Sequence, residues 1–200
     1  MLKEDQVHKY WEQRAAKQGM RTVGFGGRSL DFQSRLHKQR MKFIFPRCSQ
    51  SLRTLDFGCG TGNFANCFES YLGVDISETL LTFAKTAYPE KDFVLLEKPV
   101  PSEEAILLFR PELFFSTTVL QHNSDDLVRK IFKSIAKIRQ DMIFSIYENC
   151  QVIAKHVKGR ESEEYLALLS ESFKVLSSCS FSHYVHGEKH ALTIVRVGSL

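Results

Sequence analysis

The stretch Asp56-Phe57-Gly58-Cys59-Gly60-Thr61-Gly62 limits what this chain can fold into more than any other segment. Glycine stands at every second position, directly after the apolar residues Leu52, Leu55 and Phe57, which read as the end of a short buried strand. The run Asn63 to Phe68 that follows is compatible with a helix. Strand, glycine turn and helix is the order that sets the free N–H groups of a helix N-terminus against a polar ligand. The spacing discriminates between ligands. A dinucleotide fingerprint needs G-x-G-x-x-G, but its third glycine position holds Asn63 and Gly62 comes one residue too early. An NAD-dependent oxidoreductase is therefore disfavoured.

The rest of the chain alternates strand and helix patterns, which predicts an α/β fold with a mostly parallel sheet. Tyr71 to Ile76 reads as a second strand with the acid Asp75 near its end, and Ser77 as the cap of the next helix. Asp92 to Glu97, Glu112 to Thr118 and Asp141 to Tyr147 read as further strands. Helices are expected from Ser102 to Phe109, after Ser124, and as an exposed helix around Tyr165 to Leu169. Phe173 to Tyr184 and Ala191 to Val197, joined through Gly187-Glu188-Lys189, form a hairpin pattern. Ahead of all this, residues 4–18 and 29–45 carry helical periodicity on either side of a loop containing Gly24, Gly26 and Gly27.

The pattern D-x-G-x-G-x-G at Asp56 to Gly62, with an acid at Asp75, resembles motif I of the class I S-adenosylmethionine-dependent methyltransferases, a resemblance clear over residues 50–150. It implies a three-layer Rossmann-like fold: a seven-stranded, mostly parallel sheet with a C-terminal antiparallel hairpin and an N-terminal helical cap. Residues 1–200 then form a single domain, with 1–48 as cap and 49–200 as core. The implied cofactor is S-adenosyl-L-methionine. Its cradle would comprise Asp56, Gly58, Cys59, Gly60 and Gly62, with Asp75 on the ribose hydroxyls, Ile76 against the adenine face and Thr117 at the end of the fourth strand. Glu97 occupies the position where the family usually has an Asp near the adenine amino group, and is one methylene longer. Tyr10-Trp11-Glu12-Gln13-Arg14-Ala15 is similar to the W-x-x-R-A opening of some members, which places Trp11, Arg14 and Arg21 over the cofactor. Val119-Leu120-Gln121-His122 resembles the V-L-x-H rim of many small-molecule methyltransferases. Pro111-Glu112 stands where the family usually has Phe-Asp, and the Gly-Gly turn common before the fifth strand is missing.

His122 is the catalytic candidate, because an acceptor hydroxyl or ammonium must lose a proton and imidazole titrates near neutrality. Tyr147 and Glu148 share its expected rim and could orient the substrate. No N-P-P-[YF] motif follows the fourth strand, which favours a small-molecule O or N acceptor over a nucleic-acid base. Two alternatives stay open: a non-catalytic module that keeps the cofactor fold, and a methyltransferase acting on a macromolecule.

Charge adds one hint. Residues 1–55 carry twelve Lys and Arg against four Asp and Glu, whereas the whole chain is only +4. A basic cap fits an anionic substrate as well as it fits a solvated surface. No apolar run reaches the roughly 18–20 residues of a membrane span. Five scattered cysteines without a C-x-x-C pair argue against a disulfide framework or zinc site and suit a reducing cytoplasm. His183, His186 and His190 lack carboxylates at ligand spacing, so no metal is expected. Oligomeric state is not legible in the sequence.

Overall fold

The computed structural model describes residues 4–22, 29–151, 154 and 156–200, apart from the side chains at 4, 5, 20, 21 and 30. Two helices come first, α1 (Glu4–Gln18) and α2 (Leu30–Ile44). The core then runs β1 (Thr54–Phe57), β2 (Tyr71–Asp75), α3 (Glu78–Ala87), β3 (Asp92–Leu95), α4 (Glu104–Phe109), β4 (Leu113–Thr117), α5 (Asp125–Ile138) and β5 (Met142–Asn149). It closes with α6 (Ser162–Ser170), β6 (Lys174–Val185) and β7 (Glu188–Gly198). The glycine loop expected at Gly24 to Gly27 lies outside the described residues.

One seven-stranded sheet has the order β3-β2-β1-β4-β5-β7-β6. Its first five strands are parallel, and β7 runs antiparallel between β5 and β6. Every residue of β1 and β2 is buried, as a parallel sheet covered on both faces requires. One face packs Leu127, Ile131, Phe132 and Ile135 of α5 with Leu168 and Leu169 of α6 against Phe114 and Phe144. The other packs Ile44 of α2 and Leu81 and Ala84 of α3 against Phe93 and Phe115. Ser77 and Ser124 cap α3 and α5 by accepting from Leu80 and Leu127 N–H.

Three expectations need correction. The segment after the glycines is not an α-helix; only Ala65–Cys67 forms a 3₁₀ turn. The connection must travel back along β1 before β2 can start, about 13 Å for four residues in a strand. Residues 63–70 wound as an α-helix would span about 12 Å, leaving nothing for the turn at either end. The helix around Tyr165 is not exposed on its apolar side, since Tyr165, Leu168 and Leu169 are buried. The hairpin turns at His186-Gly187, one step earlier than expected. Both residues have positive φ (51° and 83°), as in the two-residue turns that match strand twist.

Candidate functional site

The strand ends carrying the glycine motif open into a cavity of about 600 Å³, roofed by α1 and α2. That volume lies in the range of small-molecule sites. Asp75 ends β2 and is 8% exposed. Its Oδ2 accepts from Gly60 N–H at 2.8 Å and its Oδ1 from Ser77 N–H at 2.9 Å, which fixes the turn against β2. Burial raises its pKa, and the backbone donors pull the other way. Asp56 is the next-to-last residue of β1 and is 1% exposed. It accepts from Tyr71 Oη at 2.8 Å, and burial pushes its pKa up to about 7. Neither carboxylate has an ion-pair partner among the described residues, yet both line the cavity.

The glycines divide in purpose. Gly58 (φ 74°) passes so close to the loop after β4 that a Cβ would lie 2.5 Å from Val119 Cγ2. Gly60 also has positive φ and lines the cavity. Gly62 does not line it; a Cβ there would meet Tyr88 and Phe93 at 3.1–3.2 Å, so this glycine admits core packing instead. Cys59 is buried in the cavity wall, where burial holds its thiol protonated by raising its pKa.

Trp11, Arg14, Ile76, Thr117 and His122 join the same wall. The roof is pinned by Glu12, which accepts from Ser77 Oγ at 2.6 Å and from the Thr79 hydroxyl at the start of α3. Trp11 thereby meets His122 edge-on, with centroids 5.0 Å apart, and the Arg14 guanidinium lies 5.5 Å from the Trp11 ring. The Arg21 side chain lies outside the described residues.

Glu97 does not reach the site. Strand β3 stops at Leu95, and Leu96 turns inward to line the cavity while its N–H donates to Asp75 O at 2.9 Å. Glu97 is left exposed, its N–H donating to Glu103 Oε1 at 3.2 Å. Tyr147 and Glu148 are not on the rim either. Tyr147 is fully buried, its hydroxyl 2.8 Å from His183 Nε2. Glu148 spends its carboxylate on Val119, Leu120 and Gln121 N–H at 2.9–3.3 Å, which caps the V-L-Q-H loop from beneath. Burial raises its pKa to about 7.

His122 lies between two backbone constraints. Its Nδ1 is 3.2 Å from His156 O; a carbonyl only accepts, so Nδ1 carries the hydrogen and Nε2 the lone pair. Burial drives its pKa down to about 4, so the ring is neutral at physiological pH and a weak proton acceptor. Just before it, Thr118 has φ 56°, a left-handed conformation that is unusual for a β-branched residue, and its N–H donates to Tyr147 O at 2.8 Å. Strain of this kind concentrates at functional sites.

Arg40 and His37 of α2 line the wall and were not singled out from the sequence; His190 of β7, weighed there only as a metal ligand, lines it too. Arg40 left a signal: Leu36, Arg40 and Ile44 follow at four-residue spacing on the buried stripe of α2, where a charge interrupts an apolar pattern. Arg160 lay hidden in a stretch that reads as polar. It is 1% exposed and donates to Leu120 O, Asn123 O and Asp125 Oδ1 at 2.6–3.0 Å, locking the V-L-Q-H loop and the start of α5.

Residues 55–140 match the family described as a methyltransferase domain. Among solved structures, the chain is similar to a magnesium protoporphyrin IX methyltransferase from Synechocystis with bound S-adenosylhomocysteine. The identity is 13% over 97% of this chain and 100% of that one, with a TM-score of 0.69. A methyltransferase from Anabaena variabilis gives 16%, 96%, 95% and 0.66 in the same order. The N-methyltransferase NodS from Bradyrhizobium japonicum gives 14%, 95%, 97% and 0.64. No curated protein matches the sequence. At these identities the solved structures share the fold. Residues 55–140 thus match a methyltransferase domain, and the sheet shares the fold of the solved S-adenosylmethionine-dependent methyltransferases. Their cofactor is S-adenosyl-L-methionine.

Proposed function

We propose that the cavity binds S-adenosyl-L-methionine across the ends of β2, β1 and β4 and that the protein transfers a methyl group to a small-molecule O or N acceptor. The observation that carries this reading is the pair of buried carboxylates, Asp56 and Asp75, facing the cavity without a cationic partner among the described residues. A ligand with both a cationic end and a vicinal diol suits them. Asp75 uses two of about four acceptor positions on backbone N–H groups and keeps the others for hydroxyls. Asp56, with a pKa near 7 while unpaired, is drawn to the charged state by an ammonium placed beside it. Arg14 on the roof suits the carboxylate of the same ligand, and Ile76 and Leu96 offer apolar contact to a planar base.

Bound there, the cofactor supplies an activated methyl on a sulfonium, so little covalent work is left to the protein. The chain's residues position the acceptor, exclude water beneath α1 and accept a hydrogen bond from the acceptor N–H or O–H. His122 Nε2 is the group we assign to that last task, in exchange for the Gln121 Nε2 amide that lies 3.4 Å from it. A pKa of about 4 makes it an orienting acceptor, and proton removal is efficient only from an acceptor that is itself acidic.

Calorimetry with S-adenosylhomocysteine tests the reading. We expect micromolar affinity, and Asp75→Asn weakens it by roughly 1–3 kcal/mol through loss of a charged acceptor. NAD binding tightly while S-adenosylhomocysteine gives no heat would remove the basis of the assignment.

A further inference from the structure

We propose that the half of the cavity beyond β4 receives a carboxylate-bearing acceptor, recognised by Arg40; this rests on the reading above, which gives the other half to the cofactor. The sheet order sets the ends of β2, β1, β4, β5 and β7 side by side, and four strand spacings amount to about 19 Å. The cofactor reading uses the first three. Asn149 at the end of β5 and His190 near the start of β7 line the same cavity and have no part in that reading.

Arg40 reaches into this second half from α2, with its guanidinium 5.8 Å from the ring of Tyr147 on β5. It is 9% exposed, its Nε has no hydrogen-bond partner, and no carboxylate lies within ion-pair distance among the described residues. The Tyr147 hydroxyl and two acids beyond ion-pair distance favour its charge. Glu148 gives its carboxylate to loop amides, and one oxygen of Glu188 accepts from Asn149 Nδ2 at 2.9 Å. His190 beside it is 2% exposed, stacks on Tyr147 at 5.3 Å, and has both ring nitrogens unpartnered at hydrogen-bonding distance, the nearest acid being Glu188 at 3.7 Å.

A buried guanidinium without a counter-charge is unfavourable unless a ligand completes it. Its planar fork matches a carboxylate through two parallel hydrogen bonds. One cation flanked by neutral imidazoles and a nearby Glu188 suits a single negative charge better than a phosphate dianion. His190 and His37 can each donate or accept one hydrogen bond to the remainder of such a ligand.

The test uses Arg40→Met, which keeps an unbranched apolar stem and removes the guanidinium and its charge. Without ligand, the variant is expected to melt no lower than the wild type; a drop of several degrees shows a structural arginine and overturns the proposal. S-Adenosylhomocysteine affinity is expected to stay within a few-fold. A tenfold loss shows that Arg40 meets the cofactor's own carboxylate, which also overturns it. With that ligand saturating, millimolar acetate is expected to raise the wild-type melting temperature, and acetamide or chloride is not. Arg40→Met is expected to lose the acetate response. Equal responses to acetate and acetamide, no wild-type response to acetate, or an acetate response that survives in the variant each overturn the assignment. Failure of the wild type to bind S-adenosylhomocysteine is a separate result, and counts against the cofactor reading.

Discussion

His122 shows how strongly surroundings can redefine a residue. The sequence offers an imidazole at the rim of the fourth strand, and a free imidazole titrates near pH 6.5. Enclosed between Trp11 and His156, the same ring has a pKa of about 4. The consequence for stability has a definite sign. Between pH 6.5 and 4 the unfolded chain binds a proton at this position and the folded one does not, so stability is lost as pH falls through that window. His122→Gln removes this contribution. Denaturation curves at several pH values are expected to fall less steeply for the variant, by at most about 1.4 kcal/mol per pH unit, and to run parallel above pH 7. Parallel curves at every pH would show that the ring is not desolvated. Asp75 carries the opposite lesson. Its position near the end of an apolar run was readable from local order along the chain, whereas its bond to Gly60, fifteen residues away on the neighbouring strand's turn, was not.

Among the elements, the loop between β4 and α5 is the most heavily supported. Glu148 holds its amides from below, and Arg160 holds its carbonyls from the side while pairing with Asp125 at 2.8 Å. Burial alone would raise the Asp125 pKa, but hydrogen bonds from Lys158 and Arg160 bring the net shift below the usual carboxylate value. Removing Arg160 empties a fully buried site, leaves the Asn123 carbonyl without its donor and takes one donor each from Leu120 O and Asp125, which keep Asn123 N–H and Lys158. Arg160→Ala is expected to cost about 3–5 kcal/mol, measured as a lower urea midpoint with unchanged slope. Asp125→Asn should cost less, because that side chain is 36% exposed and the arginine keeps its two carbonyls. No sequence signal marks this network, since its hydrogen bonds join residues 27 to 40 positions apart. The missing helix after the glycines belongs at this scale as well. Residue types in 63–68 tolerate a helix, and only the distance back to β2 forbids it.

For the whole molecule, the central prediction is that ligand binding tightens the roof onto the sheet. S-Adenosylhomocysteine at a hundred times its Kd stabilises the folded state by about 2.7 kcal/mol, a rise of several degrees in Tm for a chain of 200 residues. Hydrogen exchange should slow in α1, in residues 54–62 and in residues 71–77, because Glu12 joins the roof to the start of α3 and Asp75 joins the glycine turn to β2. The first half of edge strand β6, residues 174–180, contributes nothing to the cavity wall and should exchange equally with and without ligand. Slowing confined to β6 would place the ligand elsewhere.

By itself, the sequence determined whatever depends on neighbours along the chain. The α/β alternation, the strand leading into glycines with positive φ, the acid closing β2 and the serine caps are all set by periodicity, backbone sterics and local hydrogen bonding. Tertiary structure decided what depends on direction and distance across the sheet. It turned Leu96 inward and Glu97 out, because β3 stops one residue before the former. It buried Tyr147 and Glu148 beneath the rim, and it brought Arg40 of α2 and His190 of β7 into one cavity with the glycine turn. A buried arginine is visible in a sequence only as a break in an apolar stripe. Its lack of a counter-charge becomes visible only once every other strand end is in place.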